Sequence, residues 1–538
     1  MKCRFAGKGA VLVFACVAAC GCIGPYEKRP VIETAPGWVE ADGYAGTAPE
    51  DSQWWQSFSD PALAQMVERA RTASPRMREA VARVREARAL RAAQIGEFFP
   101  QGNVDAGWSK SRISQHGFFE ALAGAVATGP AGAVFQPIGL YQLGFDAQWE
   151  IDVFGHVRRS VEAAGAEVGA AQASAADVER TLMAETAREV IELRSFDERL
   201  RIAAENSESQ RETLDVLRDR RRVGIASDAD VARGDAQLSA TESVAAMLRG
   251  QRAASLHRLE TLVAASPGTL DADLAGKSEI PQPSVLPAAG LPSELLLHRP
   301  DIAHAERELA AATARAGVAR TELLPRFSLT GSFGVQSQNS SDLLTSESRF
   351  WSVGPGVQWP IFSAGRLCNA VKAADARTEA AAARYESAVR QAIAEVETAM
   401  AGLVHERERE QALRRAADDE ALAAAASRDL YKSGLTDLLH VLDAERSRYI
   451  AEDELAGSRT RVAEQAIALY KALGAGWSAD AAPGNSASGS GTGGAGPGAV
   501  AAGASNAGTK GAGENTSGKG TNAPAGVAAT PAAPSPGA

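Results

Sequence analysis

The sequence predicts a mainly α protein with a small β part, in which one unit is written twice. Three observations predict it. First, "YQLGFDAQWEID", residues 141–152, alternates apolar and polar side chains without a fault, and a two-residue period belongs to a strand whose two faces meet different surroundings. Second, no proline occurs from Gly155 to Ser266 or from Ile361 to Ala482, and alanine, arginine and glutamate, all strong helix formers, dominate both spans. Third, the two halves match at a constant offset of 210, pairing Gly144 with Gly354, Trp149 with Trp359, Gly155 with Gly365 and Gly224 with Gly434. A gap-free register this long marks a duplicated unit.

The bulk composition narrows the class. Of the 538 residues 45% are hydrophobic and only 6% aromatic, so the apolar content is largely alanine and valine, which suits closely packed helices. A formal net charge of −10 argues against nucleic acid as a partner. Five cysteines in no CxxC spacing and seven scattered histidines offer no metal site and no disulfide framework. No cofactor is expected, apart from a covalent lipid on an N-terminal cysteine.

That lipid is expected from the N-terminus. "MKCRFAGK" is basic, "GAVLVFACVAA" is a short apolar run, and small residues precede Cys20, the pattern of a secretory signal over residues 1–19. "VAAC" resembles a bacterial lipobox, which implies cleavage before Cys20 and acylation of its thiol. Cys22 is the alternative acylation site, and ordinary signal-peptidase cleavage near Ala19 is the alternative to acylation. A lipidated segment would then run over 20–50, the first repeat over 51–285 and the second over 286–477. Residues 478–538 are rich in Gly, Ala, Ser and Pro and cannot bury enough apolar surface to offset ordering entropy, so a disordered tail is expected.

Each repeat reads alike. An Ala/Arg-rich helix (75–97 and 300–322) ends before Pro100 or Pro325. Upstream the offset is 225, so the first copy carries a loop 15 residues longer between its strands. Strand hairpins follow at about 100–152 and 325–361, and long helices at about 155–265 and 363–475. Gly155 and Gly365 mark the strand-to-helix turns, and Gly224 and Gly434 the reversals between helices. Some 70 residues separate each such pair of glycines, enough for a helix of ~100 Å at ~1.5 Å per residue. Such long runs suggest coiled-coil packing.

Tilted strands of about 9–11 residues cross a bilayer. The alternation then sets apolar residues toward lipid and polar ones toward a wet lumen, with Trp108, Tyr141, Trp149, Trp351 and Trp359 near strand ends as an aromatic girdle. A soluble sheet with one face on a core is the alternative. Four strands cannot close a barrel, and lipid tolerates no open edge. Several chains must therefore share one barrel; two would leave an interior nearly filled by side chains, and three or more leave room for water.

Longer motifs carry a resemblance: "GPYEKRP" after the cysteine, "WWQSFSDPAL" at 54–63, "WEIDVFGHVRRSVEAA" at 149–164, "GLPSELLLHRPDIAHAERELAAA" at 290–312, "WPIFSAGRL" at 359–367 and "LYKSGLTDLLHVLDAER" at 430–446. Together they resemble the TolC-like outer-membrane factors of tripartite efflux pumps, in particular the NodT-type lipoprotein branch. The resemblance spans roughly residues 20–475. It implies a homotrimer with a 12-stranded outer-membrane β-barrel, four strands per chain, above a trimeric α-helical barrel that crosses the periplasm. It also implies a periplasmic adaptor and an inner-membrane RND-type transporter as partners.

The same resemblance puts a gate at the two glycine reversals. It implies a pore-lining acid at Asp443, a departure at His440 where the family carries aspartate, and a tyrosine, Tyr431, that helps hold the end shut. Asp230 follows Gly224 by six residues, and Arg220 and Arg222 stand just before it. Arg–Asp bonds and Tyr431 between neighbouring hairpins are expected to close the aperture. A three-fold ring of Asp443 favours cations, and His440 would titrate within the physiological range. No nucleophile motif or phosphate loop is present, so no enzyme is expected. The function expected is a passive efflux duct for small molecules, with a pore-less coiled-coil adaptor or scaffold as the alternative.

Overall fold

The computed structural model describes residues 32, 35–41, 44, 46, 53–112, 137–274, 279–293 and 298–475. The signal segment, Cys20, Cys22, the tail from 478 and most of the longer loop in the first hairpin lie outside the described residues. In chain order the elements are α1 (Pro61–Ala73), α2 (Pro75–Gly96), β1 (Gln101–Ser111), β2 (Ile138–Ile151), α3 (His156–Arg222) and α4 (Asp228–Leu262). Then come α5 (Pro300–Thr321), β3 (Arg326–Ser337), β4 (Arg349–Gln358), α6 (Arg366–Lys432) and α7 (Leu438–Leu473). Pro61, Pro75 and Pro300 each open a helix at its first turn, where a missing N–H costs nothing and the fixed φ is already helical.

Helices α3 and α6 are 67 residues each, or ~100 Å of unbroken helix. Both begin after a glycine in the left-handed region, Gly155 and Gly365. Helix α3 packs against α1, α2, α4, α5 and α7, while α6 packs against α5 and α7. The layer is thus α2, α3, α5, α6 at its strand end and α4, α3, α7, α6 at its far end. Residues of α2, α3, α5 and α6 line one common recess. Because the outermost pair, α2 and α6, both reach it, that face of the layer is concave. Alanine fills many contact positions, with Ala175, Ala187, Ala316, Ala392 and Ala466 all buried, and the short side chain lets helix axes approach.

A second mass of packing girds the middle of the layer. Trp54, Trp55 and Phe58 pack with Leu63 and Met66 of α1 and with α3 and α7. Trp54 stacks on Tyr470 with ring centroids 5.2 Å apart. Asp60 accepts from the Ala62 N–H at 2.8 Å to cap α1 and pairs with buried Arg194 at 3.2 Å. In the second repeat Arg299, 1% exposed, donates to Asp301, to Glu395 and to the Ala472 carbonyl. The "WWQSFSDPAL" and "HRPDIA" stretches are therefore anchors for the waist.

The sheet is four-stranded and antiparallel, in the order β1-β2-β3-β4. Across it, Val104, Phe145, Phe333 and Trp351 fall in one row, and Asn103, Asp146, Ser332 and Ser352 in the next. The rows alternate in this way through most of the sheet, with Ile138, Leu140 and Phe350 on the polar face and Arg349 on the apolar face as departures, so one face is largely apolar and the other largely polar. All four residues of the first row are exposed, and no helix among the described residues covers them. The soluble-sheet alternative is thereby overturned, because it needs that face on a core. The outer edges of β1 and β4 have no strand partner among the described residues.

Candidate functional site

Two features bear on function: the bare sheet and the paired helix reversals. In the sheet, Trp108 and Tyr141 sit at the loop end with ring centroids 6.2 Å apart, and exposed Trp351 is near the same end. At the helix end, the Trp149 indole N–H donates to the Phe98 carbonyl at 2.9 Å, and the Trp359 indole N–H donates to the Leu323 carbonyl at 3.1 Å. The two bonds are repeat-related. Each ties a strand to the helix–strand corner of its own repeat, so these two tryptophans fasten the corners.

The reversals are built alike. After α3, the Gly224 N–H donates to Arg221 O and the Ile225 N–H to Arg220 O; after α6, the Gly434 N–H donates to Tyr431 O and the Leu435 N–H to Leu430 O. Both glycines have φ near +80°, at +79° and +75°. This is the Schellman closure, which requires a left-handed residue and satisfies carbonyls that the helix end would otherwise orphan.

The next helices start differently. Ser227 caps α4, and Asp230 reaches back to the Ser227 N–H at 3.1 Å, giving a reciprocal capping box. These Ser227 hydrogen bonds, from side chain and backbone, hold the Asp230 carboxyl below its usual range. In the second repeat Asp437 caps α7 by accepting from the His440 N–H at 3.1 Å. His440 occupies the position of Asp230 and cannot return the bond as an acid.

The arginines before the first reversal are engaged within the chain. Arg222 pairs with Asp219 of its own helix and Arg221 with Asp228 at 2.5 Å. Asp230 faces its own cap. Within the chain Arg222 finds a partner one helical turn away and Arg221 finds one across the reversal, where little entropy is lost. The link between hairpins comes from Arg220. Its Nη2 donates to the Tyr431 carbonyl at 2.8 Å and the Lys432 carbonyl at 3.3 Å, and its guanidinium lies 4.1 Å from the Tyr431 ring centroid. A cation thus sits at the negative end of α6. Beneath it Leu214, Leu217, Val231, Tyr431, Leu438 and Val441 form a small closed core.

Asp443 is exposed on α7 and has no ion-pair partner among the described residues; His440 is exposed one turn before it. Val223, Ile225, Leu435 and Leu439 leave four large apolar side chains bare at the reversals. One residue escaped sequence reading. Glu445 is 1% exposed, lies 3.0 Å from Arg428, and accepts from Ser209 and Thr213 at 3.2 and 3.1 Å. Burial raises its carboxyl above the usual range, opposed by Arg428 and by the Thr213 and Ser209 hydroxyls. Only its place two residues after Asp443, on the buried side of α7, could have flagged it.

Comparison with known proteins places this geometry. Residues 66–265 and 291–475 match the family described as outer membrane efflux protein. Outer membrane protein OprJ of Pseudomonas aeruginosa is 31% identical over 88% of this chain and 96% of its own. Nodulation protein T of Rhizobium leguminosarum bv. trifolii is 26% identical over 79% of this chain and 88% of its own. Among solved structures, the outer-membrane channel OprN aligns with a TM-score of 0.76 and 34% identity, covering 84% of this chain and 99% of that one.

Proposed function

The chain belongs to the outer membrane efflux protein family and is an outer-membrane efflux channel reaching into the periplasm; from that premise we propose how its parts make the duct. Three copies join their four-stranded sheets into a 12-stranded barrel. The observation that carries this is the exposed apolar row of Val104, Phe145, Phe333 and Trp351 on a sheet whose two edges are unpaired among the described residues. In lipid both edges must be hydrogen-bonded, and only a closed cylinder does that. Eight strands would leave an interior nearly filled by side chains, whereas twelve leave a lumen. The concave faces of three helical layers then continue the lumen below the membrane. A pore-less scaffold would have no use for such a sheet.

The reversals form the periplasmic end. There the bare Val223, Ile225, Leu435 and Leu439 offer a surface to a periplasmic adaptor, and the adaptor links the duct to an inner-membrane transporter of the RND type. Asp443 and His440, repeated three times, set the charge of the aperture. Lipid on Cys20, or on Cys22 in its place, adds an anchor in the outer membrane. Transport is passive: the duct supplies geometry and charge, and neither makes nor breaks a bond.

The experiment is accumulation of a fluorescent dye in cells lacking this gene, with and without each candidate inner-membrane transporter. Loss of the channel should raise accumulation as much as loss of its transporter, and the double deletion should add nothing. Accumulation unchanged in every transporter background would contradict the efflux role.

A further inference from the structure

The concave face of the helical layer holds a recess of about 840 Å³ between α2, α3, α5 and α6. Sites that enclose a drug-sized molecule run about 300–1,000 Å³. Its floor is made of methyl groups: Ala170, Ala175, Ala311 and Ala381 all line it and are buried. Such a floor gives apolar contact and demands no hydrogen bond.

The rim carries both signs: besides its arginines it has Asp177, held by Arg180 at 2.5 Å, and Glu308, 3.5 Å from His304. Arg83 is held by Glu79 and Arg76 by Glu185, both at 2.6 Å, and Arg315 is held by Glu167. On the α6 wall, Arg377 and Arg384 are exposed and have no hydrogen-bond or ion-pair partner among the described residues. Seven residues apart, they stand on one face of the helix, about 10 Å apart along its axis. Both line the recess. A methyl-lined hollow with two uncommitted guanidiniums on one wall has the chemistry to receive a molecule that is apolar at one end and anionic at the other. Guanidinium recognises planar and tetrahedral oxyanions through forked N–H donors.

We propose that this recess is a transit site for amphiphilic anions, with the ring or chain on the alanine floor and a carboxylate, sulfonate or phosphate on Arg377 and Arg384. A neutral molecule of the same skeleton gains the floor alone, and a cation gains nothing from the Arg377 and Arg384 wall. The site would sort cargo inside the duct by charge, at the strand end of the layer and far from the Asp443 ring. It rests on the reading that the concave face is the wall of a tunnel.

The test is block of single-channel current through the full-length protein in a planar lipid bilayer. The probe is 1-naphthalenesulfonate, and 1-naphthol is the neutral counterpart. The sulfonate should block at concentrations where the naphthol does not. In Arg377→Ala/Arg384→Ala the half-blocking concentration should rise at least tenfold, with the unblocked conductance within twofold of wild type. Arg377→Lys/Arg384→Lys, which keeps the charge, should shift it less than threefold. Equal block by the two compounds in wild type overturns the proposal whether or not the variants assemble, and so does undiminished block of the alanine variant. A protein that conducts no current at all would instead overturn the channel reading.

Discussion

Arg220, near the end of α3, holds the end of α6 through Tyr431: its guanidinium carbon stands 4.1 Å from the ring centroid while Nη2 donates to the Tyr431 carbonyl at 2.8 Å. The contact joins the two repeats across their reversals. It is one-sided, because the position of Arg220 in the second repeat is held by Leu430. The guanidinium meets the ring face and the backbone, and no hydrogen bond to the tyrosine hydroxyl is part of it.

Tyr431→Phe should therefore leave closure almost unchanged, whereas Arg220→Ala should loosen it. A charge-assisted hydrogen bond is worth about 1.5–3 kcal/mol and an exposed cation–π contact about 0.5–1. Arg220 is half-buried, so a loss of about 1–2 kcal/mol per chain is expected after screening. Resting conductance in a planar bilayer checks it: Arg220→Ala above wild type, Tyr431→Phe equal to it. Opening by Tyr431→Phe alone would assign the hold to the hydroxyl.

The two helix starts predict an asymmetry. Ser227→Ala removes the cap of α4 and its reciprocal bond from Asp230, at a cost of about 0.5–2 kcal/mol. Faster hydrogen exchange over 228–232 reads this out. For Asp230 the sign is that of a depressed carboxyl: its contribution is present above the ordinary aspartate range and is lost as pH falls through the lowered value. Acidification from neutrality to pH 5 should leave this turn protected.

Glu445 predicts the opposite slope. Burial raises its carboxyl, so in the window between the ordinary and the raised value the native state holds a proton that the unfolded chain has released. Stability then falls as pH rises through the raised value. Relative to Glu445→Gln, the wild type should gain in melting temperature between pH 7 and pH 4.5, measured by circular dichroism. A constant difference between the two proteins would remove Glu445 as the source.

The corner tryptophans predict additive losses. Trp149→Phe and Trp359→Phe each remove one indole donor from a backbone carbonyl, worth about 1 kcal/mol. The two corners share no partner, so the double variant should lose the sum. The temperature at which the assembly dissociates in detergent reports both.

Long-period features were readable from sequence because they are written in local chemistry. Alternation gives the strands, proline-free alanine runs give α3 and α6, and paired glycines give the reversals. What could not be read were contacts between distant stretches. Trp54 on Tyr470, Asp60 on Arg194 and Arg220 on Tyr431 join residues far apart in sequence, and no periodicity announces a partner. Short-range pairs are the opposite case: an arginine three residues from an aspartate on one helix already has a neighbour. Register against the first repeat would have shown that His440 replaces the acid of a capping box.

The central claim is that the four strands are one third of a closed cylinder. Native mass spectrometry of the mature protein, released from detergent micelles, tests it most directly. The account predicts one dominant species at three times the mass of the mature chain, with no monomer until the assembly is heated. A stable monomer or dimer as the main species would contradict it.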